Sequence, residues 1–269
     1  MIQFYFKCDD SHIFVCLFFA TLQFNYHECH DSIQPDMFAE VTQKFNSCHD
    51  CKDISCAAAV LDYNQLDQVT SNSKESLLKK GEVILHEGSL TSHIIYLKSG
   101  LAKEYIKHPG EKEQILQIVK QHTYLGLPSL FGDRVNHYSY AALEDCKICY
   151  IDINLFNSLI RENGNFAYEI LISTSRDSLN NINRFLHRSQ KKVYGRVADA
   201  ILYFSKIIYE AGKFTLPISR QELADLIGVS RESATRVLLK FKAEGIISLK
   251  GRSMTILNMD LLEQISKKG

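Results

Sequence analysis

The stretch ISRQELADLIGVSRESATRVLLKFKAEGIISLKGRSMTI, residues 218–256, decides the reading of this chain. Its Ser219-Arg220-Gln221-Glu222 is a capping box: the serine hydroxyl accepts from one free amide of a new helix and the glutamate reaches back to another. The helix so started carries Leu223, Ala224 and Ile227 on one face, then meets Gly228, whose freedom at positive φ permits a sharp turn. Ser230 caps a second helix that the pattern carries to Gly245. There Ala234, Val237, Leu238 and Phe241 stand at i, i+3, i+4 and i+7 and face a core, which leaves Arg231, Glu232, Thr235 and Arg236 on the opposite face. Arginine pairs with guanine O6 and N7, glutamate accepts from cytosine N4, and threonine touches a thymine methyl. Two helices joined by a tight glycine turn, with such groups opening the second, predict a helix-turn-helix. Ile246 to Leu249 and Met254 to Leu257 flank Lys250-Gly251-Arg252 and predict a hairpin wing with a basic tip at phosphate. A plain helical hairpin with a solvated charged face competes for the two helices alone; cap, turn and wing together favour a unit that reads DNA.

Upstream, a helix beginning near Phe166 carries Ile172, Ser175, Leu179, Ile182, Leu186, Ser189 and Val193 at alternating spacings of three and four. That is a heptad-type seam, interrupted by serines, and it predicts a parallel homodimer with Ile172, Leu179, Ile182 and Leu186 at its centre. The competing reading is a helix packed only on its own domain. A further helix is expected from Arg196 to Ala211, ended by Gly212. Between Gly81 and Ile151 the pattern is short β-rich runs (83–85, 94–97, 101–106, 115–119, 138–143 and 148–151) punctuated by glycines, as in a small sandwich or roll. Val60 to Val69 reads as a short helix.

With 269 residues and 45% hydrophobic content the chain can bury a core, and its length suits two domains. Its 31 basic and 31 acidic side chains cancel, but not locally: residues 191–269 hold 14 Lys/Arg against 8 Asp/Glu, and residues 1–60 hold 3 against 8. The basic end is the phosphate-facing end. Eight clustered cysteines without a secretory pattern read as metal or redox ligands rather than a disulfide framework, and place the chain in the cytoplasm. The apolar run Ile13 to Ala20 is too short to span a bilayer, so no membrane association is expected. Residues 1–36 differ in pattern from the rest of the chain and read as a leader, with Met37 an alternative start. The expected organisation is therefore that leader, a cysteine-rich sensory segment at 37–60, a roll at 61–163, a dimerisation helix at 164–190 and a winged helix-turn-helix at 191–269.

The stretch 218–256 resembles the DNA-binding signature of the Crp/Fnr family, and the resemblance extends back to about Cys48; residues 95–103, IYLKSGLAK, look like the family's β-roll hairpin. It implies an α+β fold of a cyclic-nucleotide-binding-like β-roll, a long dimerisation helix and a C-terminal winged helix-turn-helix. It implies a regulator that binds a palindromic operator in double-stranded DNA as a homodimer and works with RNA polymerase. The family's base-reading glutamate and arginine fall on Glu232 and Arg236. Arg231 matches the cyclic-AMP receptor branch, and Thr235 stands where the fumarate-nitrate branch carries serine. Ser230, Lys250 and Arg252 complete the expected DNA contacts. The cyclic-nucleotide branch marks its phosphate cassette with Gly-Glu and a later Arg-Ser or Arg-Thr; here those stretches read Tyr124-Leu125-Gly126-Leu127-Pro128 and His137-Tyr138-Ser139-Tyr140-Ala141, with Arg134 displaced. Cyclic AMP is not the expected effector.

Cys48-x2-Cys51-x4-Cys56 puts three thiolates within nine residues, close enough for one loop to offer them to a soft centre. By resemblance, Cys149, after Ala-Leu-Glu, falls where the fumarate-nitrate oxygen sensor carries its fourth cluster cysteine, which implies one [4Fe–4S] cluster per chain sensing oxygen or nitric oxide. The gap before Cys56 is one residue shorter than that sensor's. Zinc on the same thiolates, with His49 as an alternative ligand, a thiol–disulfide switch, and a small ligand in the roll remain open. Cys149 as an ordinary buried strand residue also remains. A rival of another class is a cyclic-nucleotide-binding-like module acting on a protein partner. No nucleophile, base and orienter converge and no P-loop or dinucleotide fingerprint occurs, so an enzyme is not expected.

Overall fold

Asp62 caps the first long helix through its side chain, which accepts from Gln65 N at 2.8 Å while Gln65 returns a bond to the cap. The computed structural model describes residues 48–107 and 113–269. The expectations for residues 1–36, with Cys8, Cys16 and Cys29, lie outside the described residues. A 3-10 turn at Cys48–Asp50 leads into α1 (Cys56–Ala59) and α2 (Tyr63–Ser71). Eight strands follow, β1 (Ser73–Leu78), β2 (Val83–Leu85), β3 (His93–Ser99), β4 (Leu101–Ile106), β5 (Gln114–Lys120), β6 (Thr123–Leu125), β7 (Ser139–Ala142) and β8 (Cys146–Asp152), with α3 (Leu127–Phe131) between β6 and β7. They form two antiparallel four-stranded sheets, β1-β8-β3-β6 and β2-β7-β4-β5. Ile95, Leu97, Ala102, Val119 and Ile148 fill the space between them. This is a roll of the kind the short β-rich runs predict.

The sequence pattern misses β1 and β6. SKESLL has no apolar alternation, because β1 is an edge strand paired only to β8 among the described residues, so little of it is buried. Asp152 starts α4 (Ile153–Glu162) by accepting from Asn154 and Leu155 amides, and Asn163 then caps α5 (Gly164–Gln190) in the same way. The long helix therefore begins two residues before Phe166.

One face of α5 buries Phe166 and Ile170 against the roll, and its C-terminal half is tied there by Arg184 donating to Gln117 at 2.5 Å and Arg188 donating to the Ile115 and Leu116 carbonyls at 3.0 Å. The seam points the other way. Leu179, Ile182 and Leu186 are 60%, 53% and 40% exposed, Phe185 beside them is 70% exposed, and Ile172 is half-buried. They form a row of apolar side chains along one side of α5 that faces water. The seam is one position shorter than its spacing suggests: α5 ends at Gln190, and Val193 opens the next helix instead.

That helix, α6 (Val193–Tyr203), runs into a π-helical turn at Phe204–Ile208. Glu210, at φ 49°, takes the left-handed turn that the sequence assigns to Gly212. Then come β9 (Lys213–Thr215), α7 (Arg220–Ile227), α8 (Arg231–Ala243), β10 (Ile247–Lys250), β11 (Ser253–Ile256) and α9 (Met259–Lys268). The three strands form one antiparallel sheet in the order β10-β11-β9. Phe204, Ile218, Leu223, Leu238 and Phe241 centre this domain's core, which is continuous with Leu101, Ile115 and Ile118 of the roll. Among the described residues no helix is long and apolar enough to cross a membrane.

Asp199 of α6 ties the joint together. Lys191 donates to it at 2.8 Å, Ser266 of α9 hydrogen-bonds it, and His187 of α5 lies 3.2 Å away. Burial alone would raise its pKa, but the bonds from His187, Lys191 and Ser266 outweigh burial and hold it below the ordinary value. A depressed carboxylate contributes stability above the unfolded-state pKa and loses it as pH falls through the folded one. Denaturant unfolding from pH 7 to 3 is expected to show an acid loss of stability that is shallower in Asp199→Asn.

Candidate nucleic-acid interface

Ser219 accepts from Glu222 N at 3.2 Å and Glu222 accepts from Ser219 N at 2.8 Å, so the capping box that starts α7 is closed. Gly228 sits at φ 66°, the left-handed conformation that ends α7 and turns the chain into α8. Ser230 caps α8 by accepting from Ser233 N at 3.2 Å. Ala234, Val237, Leu238 and Phe241 are buried, whereas Ser230, Arg231, Glu232 and Arg236 are exposed and Thr235 is half-buried. The structure thus presents one polar face at the start of α8. α8 stops at Ala243, and Gly245, at φ 70°, follows its end rather than continuing it.

The wing forms between β10 and β11, with Lys250 opposite Ser253 and Lys250, Gly251 and Arg252 exposed at its tip. Arg220, the first residue of α7, donates to the Gly251 carbonyl at 3.0 Å and so ties the wing to the helix-turn-helix. Sequence reasoning misses Arg220; its signal is its place directly after the cap.

The expected cysteine set is brought together only in part. Cys149 on β8 stands opposite Glu75 of β1 and Tyr96 of β3. Cys48 and Cys149 pack against the apolar cluster that holds Tyr96 and Tyr124. Burial pushes the Cys149 thiol up, opposed by a hydrogen bond with Ser73 and by nearby Lys98. Lys98 is itself part of the patch: it donates to Glu75 at 2.5 Å and bonds Cys51, and these contacts keep its pKa above the ordinary lysine value despite burial. Ser55 Oγ and Tyr124 Oη share a buried 2.6 Å hydrogen bond, and the next residue, Cys56, faces outward at the start of α1. Cys56 is exposed and disulfide-bonded, so its sulfur is not available beside Cys48, Cys51 and Cys149. Among the described residues, no three His, Cys, Asp or Glu side chains stand where one metal ion would join them. The four-thiolate set implied by resemblance is not assembled in this conformation, and His49 is directed instead to Asp67, at 2.8 Å. Cys146 is a packing residue: its thiol bonds the Leu101 and Glu144 carbonyls, and burial pushes its pKa up to about 11.

Where a nucleotide phosphate cassette would need a carboxylate after Gly126, Leu127 is buried. Asn136, also buried, is spent on Thr91 and Ser89.

Residues 195–265 match the family described as Crp-like helix-turn-helix domain, and residues 75–163 match that described as cyclic nucleotide-binding domain. Electron transport regulator A of Shewanella oneidensis is 26% identical over 218 residues, spanning 78% of this chain and 86% of that protein. The transcriptional activator protein anr of Pseudomonas aeruginosa is 27% identical over 77% of this chain and 88% of its own length. The fumarate and nitrate reduction regulatory protein of Escherichia coli is 25% identical over 81% and 90%. Among solved structures, FixK2 from Bradyrhizobium japonicum superposes with a TM-score of 0.66 at 20% identity, covering 72% of this chain and 96% of that one. A CRP/FNR-family regulator from Thermus thermophilus gives 0.62 at 21%, covering 72% and 98%.

Replacing Arg236 by alanine should cost about 1–3 kcal/mol on a specific duplex and relax preference at one base pair. Lys250→Ala should weaken all duplexes alike and lower the salt slope by about one. Anisotropy titrations across salt concentrations distinguish the two.

Proposed function

As this chain belongs to the Crp/Fnr family of DNA-binding transcription regulators, we propose that it is a cytoplasmic homodimer whose paired α8 helices read a palindromic operator under control of the cysteine patch. The observation that carries the reading is the exposed Arg231, Glu232 and Arg236 face on a helix that starts at a capped, left-handed glycine turn. Arg231, Glu232, Thr235 and Arg236 contact base edges; Ser230, Lys250 and Arg252 contact phosphate. Two such helices serve one operator only when a dimer fixes them about one DNA turn apart, which is the work of the α5 seam. RNA polymerase is the partner at the promoter. A module that acts on a protein partner would not need this basic wing and polar helix face.

The signal enters, in this reading, near Cys48 and Cys149, which pack against the same cluster as Phe166 and Ile170 of α5, and near Cys51, which bonds Lys98. A [4Fe–4S] cluster sensing oxygen or nitric oxide is the finer form of the proposal. It requires Cys56 to leave its disulfide and turn inward. The Cys56 disulfide itself favours a second form, thiol redox control, and neither form draws on cyclic AMP.

Ile182→Glu places a charge in the seam and is expected to abolish specific operator binding and dimerisation; unchanged affinity in a gel shift would sink the dimer requirement. Anaerobic purification with visible absorption and iron, sulfide and zinc analysis separates the sensor forms. About four iron per chain, lost in Cys149→Ala, establishes the cluster. Colourless, iron-free protein leaves zinc, thiol chemistry or a small ligand in the roll and does not touch the DNA-binding assignment.

A further inference from the structure

A single lysine bridges two carboxylates that belong to different domains. Lys103 of β4 keeps only 13% of its side chain exposed, and its Nζ donates to Glu113 Oε2 at 2.6 Å and to Glu222 Oε1 at 3.1 Å. Glu113 immediately precedes β5 in the roll; Glu222 is the capping-box glutamate of α7 in the DNA-reading domain. Glu222 cannot swing away freely, because its other oxygen accepts from Ser219 N at 2.8 Å. Lys80 and Arg252 line the adjoining cavity of about 350 Å³, but among the described residues neither makes an ion pair with these carboxylates.

The rest of the contact is mostly apolar or uncharged; one longer ion pair crosses it at its edge, where Lys120 of β5 lies 3.7 Å from Glu210 and donates to the Ile207 carbonyl at 3.3 Å. α7 packs on β5, Ile115 and Ile118 join the core of the reading domain, and Tyr203 donates to the Ile118 carbonyl at 2.7 Å. Apolar contacts hold two surfaces together without fixing their direction closely, whereas a bridging ammonium between two half-buried carboxylates does so. Removing it costs more than two hydrogen bonds: Glu113 and Glu222 would then face each other as partly desolvated like charges.

We propose that Lys103 is a positioning residue for DNA reading, holding α7, and with it α8, in one orientation on the roll by bridging Glu113 and Glu222. The proposal rests on the assignment of the α8 face to operator recognition. Docking leaves Arg231, Glu232 and Arg236 exposed, so it does not mask the reading face. What it sets is the direction of α8 relative to the seam helix of the same protomer, and through the dimer the separation of the two reading helices.

The test uses the full chain with Lys103→Met, Glu113→Gln and the double variant, all checked for cooperative thermal unfolding. Lys103→Met is expected to lose at least about tenfold in affinity for a palindromic operator while keeping its affinity for scrambled duplex. Adding Glu113→Gln should restore most of the loss, because the facing charge is gone. Limited proteolysis at residues 190–192 without DNA should follow the same order: faster cutting in Lys103→Met, slower again in the double variant. Wild-type operator affinity and cutting in Lys103→Met would overturn the proposal, and so would a loss that Glu113→Gln does not rescue. Wild-type protein that fails to prefer any operator, with proteolysis still responding as described, would instead overturn the DNA-reading assignment and leave the docking role of Lys103 standing.

Discussion

The apolar docking of the DNA-reading domain on β4 and β5 is the constraint on which the other features depend. Leu101, Ile115 and Ile118 of the roll share one buried cluster with Val197, Phe204 and Leu223 of the reading domain. A linker as short as Lys191 and Lys192 would otherwise let the reading domain pivot on α5, and the exposed face of α8 would have no fixed relation to the seam. Burying that surface removes the freedom at the cost of a half-polar seam between domains, whose groups must then be satisfied. The chain meets that demand with side chains that reach main-chain carbonyls: Arg188 to Ile115 and Leu116, and Tyr203 to Ile118.

The parts most legible in the sequence were those whose physics is local. Ser219, Glu222, Gly228 and Ser230 announce two helix starts and a turn because capping and left-handed backbone are decided within four residues. The strand at 101–106 was legible for a related reason: Gly100 marks its start, and Leu101, Ala102, Tyr105 and Ile106 flank its two charged residues. What was hidden depends on partners far along the chain. β1 gives no sign in SKESLL, since its identity comes from pairing with β8 some seventy residues later. Without β1 there was no way to place Glu75 or Ser73 beside Cys149, nor to see Lys98 as part of the cysteine patch.

The cysteines show the limit of spacing as an argument. Cys48, Cys51 and Cys56 lie within one short segment, and proximity in sequence suggests a shared ligand. Yet Ser55, the N-cap of α1, is the residue this segment buries, through its bond to Tyr124, and Cys56, which opens that helix, lies on its exposed side while Ala57 faces the core. Counting thiols gave the candidate set; only the placement of Ser55 inward and Cys56 outward shows that assembling it takes a change of conformation.

That placement also bears on how a signal at the patch would reach DNA. The cysteine patch lies over the sheet that contains β8 and β3, and the reading domain docks on the other sheet, so the two do not touch through the roll's surface. α5 touches both. Its first turns bury Phe166 and Ile170 in the cluster that includes Ala57, Cys48 and Cys149, and its last turns bond β5 through Arg184 and Arg188. A reorganisation around Ser55 and Cys56 would alter the packing under the start of α5, while its end stays tied to the docking sheet. The exposed seam of Leu179, Ile182 and Leu186 lies between those two anchors. A helix held at both ends and perturbed at one can relieve the strain only by turning or shifting along the middle, which is where a partner helix must fit; dimer packing is thus the property of this chain most directly exposed to change at the cysteines.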